Sequence, residues 1–154
     1  MNTTLINLIS FGTTRLVGIL EELNQEKWFI QPEGFANNIA WNVGHLLVVR
    51  QNLVYRNSGL DPNVSGMGSL YKPGTSPADW ESQPDTAALL EKLKACQAQL
   101  EADAAAGIFN NVEYNKFELG GIPMNTVEDG AAFSLWHEAL HMGVITSILD
   151  VTTV

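Results

Sequence analysis

Residues 127–149 read VEDGAAFSLWHEALHMGVITSIL, and this stretch decides the fold. No proline interrupts it, and its apolar residues recur at helical spacing. Thr126, with Asp129 three residues on, resembles a capping box in which Asp replaces Glu or Gln. A helix over 127–149 is therefore expected. Within it stands His137-Glu138-Ala139-Leu140-His141. At about 100° per residue the two histidines lie only about 40° apart around the helix, with Cβ atoms about 5–6 Å from each other. Two imidazoles held in this way can bind one metal ion together. Phe133, Leu140, Val144 and Ile148 share their stripe, so both histidines are expected to point into the interior of a helical assembly.

Outward from this stretch, three further segments read as helices. The first spans about Thr3 to Leu23, where Leu5, Leu8, Ile9, Leu16, Ile19, Leu20 and Leu23 recur at helical spacing and Gly12 and Gly18 mark sites of close packing. The second spans about Asn38 to Asn57, with Asn37 or Asn38 as N-cap and Gly59 as stop. The third spans about Asp85 to Ala106, capped by Asp85, ended by Gly107 and striped by Leu89, Leu90, Leu93 and Leu100. The connection 24–37 holds Pro32 and Gly34. The connection 58–84 holds Gly59, Gly66, Gly68 and Gly74 with Pro62, Pro73, Pro77 and Pro84, and no periodic pattern survives there. In 108–125, Val112 to Leu119 alternates enough for a short strand, which Gly120-Gly121-Ile122-Pro123 would end. Four helices of about twenty residues give an all-α chain and a four-helix bundle with long irregular connections, at least one of them a crossover. The 154 residues suit a single domain, 1–154, large enough to bury a real core.

The chain has only three histidines, and the third, His45, lies on the second helix. It shares a face with Trp41, Val48 and Val49, and with Asn38 and Asn52 farther along. All three imidazoles thus face the bundle interior. A buried polar side chain without a partner costs a few kcal/mol, and a metal ion satisfies three imidazoles at once. His45, His137 and His141 are therefore the candidate ligands of a divalent ion, zinc or nickel. Three histidines leave a coordination position open. Such an ion could activate water for hydrolysis or hold a small thiol as a nucleophile for transfer.

Glu138 is the candidate catalytic residue. In zinc peptidases the Glu of this motif is the general base. Here it lies about 100° from His137, at the edge of the stripe; it could reach over the metal, orient a ligand or pair with a surface base. No histidine follows His141, which argues against a peptidase. Trp41 and Trp136 read as packing residues. Gly44 and Gly143 would let a neighbouring helix or a ligand approach closely, and Tyr55, Tyr71 or Tyr114 could bring a hydroxyl to the pocket mouth. A structural or vestigial metal in a dimerising or sensing bundle is the non-enzymatic alternative.

Composition narrows the partners. Eight basic against seventeen acidic residues give a net charge of −9. That balance disfavours nucleic acid, whose affinity rests on Lys and Arg, and anionic membrane surfaces for the same reason. Hydrophobic residues are 45% and charged residues 16%, ordinary for a globular chain. Cys96 is the single cysteine, so no internal disulfide forms, and it reads as a small helix residue. No signal peptide and no apolar run of membrane-spanning length is read, so a soluble cytoplasmic protein is expected.

Trp41-Asn42-Val43-Gly44-His45-Leu46 on the second helix, together with His137-Glu138-Ala139-Leu140-His141-Met142-Gly143 on the fourth, resembles the DinB-like (YfiT-like) superfamily of metal-dependent enzymes. The resemblance spans nearly the whole chain in helix number and order. It implies a bundle in up-down-down-up order, a divalent metal on His45, His137 and His141, and frequent homodimers. Members with known chemistry are similar to transferases and isomerases that use bacillithiol, mycothiol or a related low-molecular-weight thiol, so a small-molecule substrate and a thiol cofactor are implied.

Overall fold

A computed structural model describes residues 1–152. Four long helices form its frame: α1 (Thr3–Glu21), α2 (Ile39–Val54), α4 (Thr86–Ala105) and α5 (Val127–Thr152). A one-turn helix, α3 (Gly68–Tyr71), interrupts the long connection after α2. Side chains cap the starts as the sequence suggests. Asn38 accepts from the Trp41 N–H at 2.9 Å, and Asp85 accepts from Ala87 and Ala88 at 2.9 and 3.1 Å. Thr126 and Asp129 exchange hydrogen bonds of 2.9 and 3.2 Å, which is the expected capping box.

The packing is a ring in which α1 lies against α4 and α5, and α2 against α4 and α5. Leu16 and Leu20 of α1, Val43, Leu46 and Leu47 of α2, Leu93 and Cys96 of α4, and Ile145 and Ile148 of α5 form one core. Ile6, Ile9, Val54, Leu100, Met124 and Ala131 form a second. The helix α2 is buried on nearly every side: Val49 and Asn52 are its only residues not classed as buried. By length and composition α1 alone among the described helices could cross a membrane. Here it buries Ile6, Ile9, Leu16 and Leu20 against its neighbours as a wall of the bundle.

Two sequence expectations need correction. The strand expected over Val112–Leu119 is instead a two-stranded antiparallel hairpin, β1 (Phe117–Leu119) and β2 (Ile122–Met124). Gly120 and Gly121 do not stop the strand but turn it, at φ of 59° and 83°, the left-handed pair that a two-residue hairpin loop requires. The orientation of α5 also differs. Its buried face is Val127, Gly130, Ala131, Ser134, Glu138, Ile145 and Ile148, while Leu140 is 51% exposed. The histidines therefore sit on the flank of the core-facing stripe, half-buried, and Glu138 lies in its middle. The buried Glu138 is matched by a buried cation from α2, Arg50, with which it pairs.

Candidate metal centre

The structure brings His45, His137 and His141 together. The His137 Nε2 lies 3.2 Å from the His45 Nε2 and 3.1 Å from the His141 Nε2. Among the described residues these three form the one group of histidine, cysteine and carboxylate side chains close enough to share an ion. Their protonation follows from the far side of each ring. The His45 Nδ1 lies 2.7 Å from the Tyr71 carbonyl oxygen, which can only accept, so the proton is on Nδ1 and the lone pair on Nε2. The His141 Nδ1 donates in the same way to the Asn42 Oδ1 at 2.6 Å. The Asn42 amide is fixed in turn, because its Nδ2 donates to the Asn38 carbonyl at 2.7 Å. An N-cap residue of α2 thus sets the tautomer of a histidine on α5.

Two of the three converging Nε2 atoms therefore carry lone pairs. His137 has at most one proton for two short contacts, so one contact lacks a hydrogen. A cation removes that conflict. Three nitrogens bound at about 2.0–2.1 Å around a tetrahedral ion stand about 3.3 Å apart, close to the separations found. Neutral imidazoles are what a metal needs. Burial, with His45 nearby, pushes His137 down to about 4. Burial, with both other imidazoles, pushes His141 down to about 3. Burial also lowers His45, partly offset by its bond to Tyr71. The donor set fits a divalent ion.

The surroundings hold the ligands in place. Trp41 stacks on His45 at 4.6 Å between ring centres and 12° between planes, and its Nε1 donates to Thr75 at 3.1 Å. Phe133 lies over His137 at 6.2 Å and 23°. Gly44 is needed for the site: a Cβ there would meet the Tyr71 ring at 2.4 Å, so only glycine lets Tyr71 lie flat on α2 with its carbonyl at His45. Gly143, by contrast, has nothing within 4 Å of an added Cβ.

Other expected residues fall elsewhere. Glu138 is not brought into the histidine group: its carboxylate pairs with Arg50 and accepts from the Thr13 hydroxyl at 3.1 Å. Of the roles considered it takes the pairing one, with a base that is itself buried. The Tyr55 hydroxyl donates to Asp103, and that of Tyr114 to the Leu53 carbonyl. Tyr71 contributes its backbone to the site, with its ring buried. Trp136, read as a packing residue, packs edge-on against Phe133 at 5.2 Å but is 58% exposed. With Phe133, Leu119, Ile122 and Met124 it lines a cleft of about 520 Å³ that includes no histidine and touches the site only through the Phe133 ring, which stacks on His137. A larger cleft, about 1050 Å³ among Ser58, Phe109, Tyr114 and Val127, likewise includes none of the histidines. Sequence reading missed Asn42 and Tyr71 as supports of the ligands. Asn42, three residues before His45 and one turn along the helix, was open to being found; a backbone carbonyl in a patternless connection was not.

None of the curated proteins compared with the chain matches it. A family model described as the DinB superfamily matches residues 9–145. The histidine group, on the second and last long helices where the resemblance placed it, lies within that span, and the chain belongs to the DinB superfamily.

Proposed function

We propose that this protein is a metal-dependent enzyme in which His45, His137 and His141 hold a divalent ion, zinc or nickel, and that it transfers a low-molecular-weight thiol to a small electrophilic substrate. The observation that carries the reading is the convergence of three Nε2 atoms, that of His137 lying 3.1–3.2 Å from the other two, with the Nδ1 protons of two rings fixed by oxygen acceptors. When bound, such an ion supplies Lewis acidity at an open position, where it lowers the pKa of a water or thiol. Thiol chemistry is favoured because no carboxylate base joins the group: Glu138 is occupied by Arg50 and Thr13. A thiol, at pKa about 8.5, gives up its proton far more readily than water, at about 15.7. The chain's own residues do the rest. Tyr71 and Asn42 orient two ligands, Trp41 and Phe133 shield the rings, and the apolar cleft lined by Phe133 and Trp136 accepts the substrate. With this reading go a single domain, the up-down-down-up order of the helices, a homodimer, a cytoplasmic location and no partnership with nucleic acid or membranes.

Protein purified without a metal-affinity tag is expected to carry about one equivalent of divalent metal, and His45→Ala to lose it. Metal-free wild type that also fails to take up zinc, or a His45→Ala variant of undiminished affinity, refutes the site. Thiol conjugation should vanish on chelation and return with metal. Metal-dependent hydrolysis without any thiol requirement would replace transferase by hydrolase.

A further inference from the structure

Outside the histidines, the most elaborate polar construction in the molecule runs through the bundle at Arg50. This guanidinium on α2 pairs with Glu138 on α5 and donates to the Thr13 hydroxyl on α1 at 3.0 Å and to the Gln97 Oε1 on α4 at 2.9 Å. Gln97 continues to Ser10 and Glu101, each at 2.9 Å. One side chain thus ties together all four long helices. Glu138 is 1% exposed and Arg50 5%. Burial lowers the guanidinium to about 10, so it stays charged at neutral pH. Gly12 of α1 leaves the room: a Cβ there would stand 3.0 Å from the Glu138 Oε1.

We propose that Arg50 and Glu138 are positioning residues for the metal centre, setting the rotation of α2 and α5 about their axes so that His45 meets His137 and His141. This rests on the metal-binding reading above. Glu138 directly follows one ligand on α5, and Arg50 lies five residues after another on α2. The need for such a device arises from α2. A helix with one apolar stripe has its rotation fixed by burial. A helix buried on nearly every face has no single apolar stripe to set its rotation, so its buried polar side chains, with close contacts such as Gly44 on Tyr71, distinguish one rotation from another. A rotation of about 10° moves an atom about 6 Å from a helix axis by about 1 Å, whereas metal–ligand distances tolerate about 0.2 Å. Fixing register is the best-attested role of a polar group kept in a core.

The test measures zinc affinity by competition with a chelating dye, the visible spectrum of the cobalt-loaded protein, and thermal stability. The double variant Arg50→Met/Glu138→Leu fills the same space without charge. It is expected to stay helical with little change in melting temperature, to bind zinc at least tenfold more weakly, and to show an altered cobalt spectrum. Two single variants separate position from charge and decide the matter even if the double variant does not fold. Glu138→Gln keeps the length and hydrogen-bonding reach of the side chain and is expected to bind zinc within about threefold of wild type. Glu138→Asp keeps the charge but withdraws the carboxylate by one methylene, and is expected to bind more weakly than Glu138→Gln. A folded double variant with wild-type affinity and spectrum, or Glu138→Asp binding more tightly than Glu138→Gln, overturns the positioning role while leaving the metal site intact. Wild type that binds neither zinc nor cobalt overturns the metal reading itself and this role with it.

Discussion

Replacing Gly44 by alanine sets two effects of opposite sign against each other. Within a helix the change is worth about 1 kcal/mol in favour of the folded state from propensity alone. The structure opposes it. The added Cβ would stand 2.4 Å from two carbons of the Tyr71 ring, and carbon atoms in contact need about 3.5 Å, so the ring must retreat by about 1 Å. It has little freedom to do so, being 2% exposed and packed edge-on against Trp80 at 5.8 Å. Overpacking of this kind costs about 1–3 kcal/mol. Any retreat also carries the Tyr71 carbonyl away from the His45 Nδ1, now 2.7 Å distant. The net expectation for Gly44→Ala is a loss of up to about 2 kcal/mol, or up to roughly 8 °C in melting temperature for a chain of this size. Zinc affinity should fall about 10–100-fold, as when an outer-shell partner of a ligating histidine is lost. Calorimetric melting and a competitive zinc titration on one preparation read both. A variant as stable as wild type or more so, with unchanged zinc affinity, would show that Tyr71 does not hold His45 as described.

Two further outcomes follow from the caps and supports. Asn42→Leu removes the oxygen that accepts from the His141 Nδ1 at 2.6 Å; zinc affinity should drop about 10–100-fold, whereas Asn42→Asp, which keeps the acceptor, should retain most of it in the same titration. Asp129→Ala deletes the side-chain half of the α5 cap and should destabilise the protein by about 1 kcal/mol in urea unfolding at pH 7. Because hydrogen bonds from Asn125 and Thr126 lower the Asp129 pKa from 3.8, its contribution is complete above that pH and disappears as the pH falls through the folded value. Wild type and variant should therefore converge in strongly acidic solution, and a difference that persists there would exclude the cap as its source.

Much of this molecule is legible in its sequence. Apolar residues at helical spacing, bounded by Asn38, Asp85, Thr126 and Gly107, locate the four long helices to within a few residues, because caps and periodicity are local. The three histidines are equally legible, since there are no others. What escapes is what another helix decides. Reading α5 alone, Leu140 looks buried and Glu138 marginal; in the structure Leu140 is exposed and Glu138 is buried against Arg50, a partner distant in sequence. Thr13 and Gln97 are ordinary polar residues until that cation stands between them. The hairpin was within reach, because Gly120-Gly121 between short apolar runs is a two-residue turn signal. The part played by 58–84 was not, since its direct link to a histidine is a main-chain oxygen that any residue type could provide.

The enclosure of α2 bears on how the protein opens. A helix with one wet face can fray or swing out while its neighbours stay folded. Nearly every residue of α2 is buried, so its amides can reach solvent only when the bundle comes apart. Their hydrogen exchange should proceed through global unfolding and report the full stability of the fold, while those of the hairpin and of 58–84 exchange through smaller, cheaper openings. His45 and Asn42 lie on that slowest-exchanging helix. The side of the site they provide is therefore as durable as the fold itself.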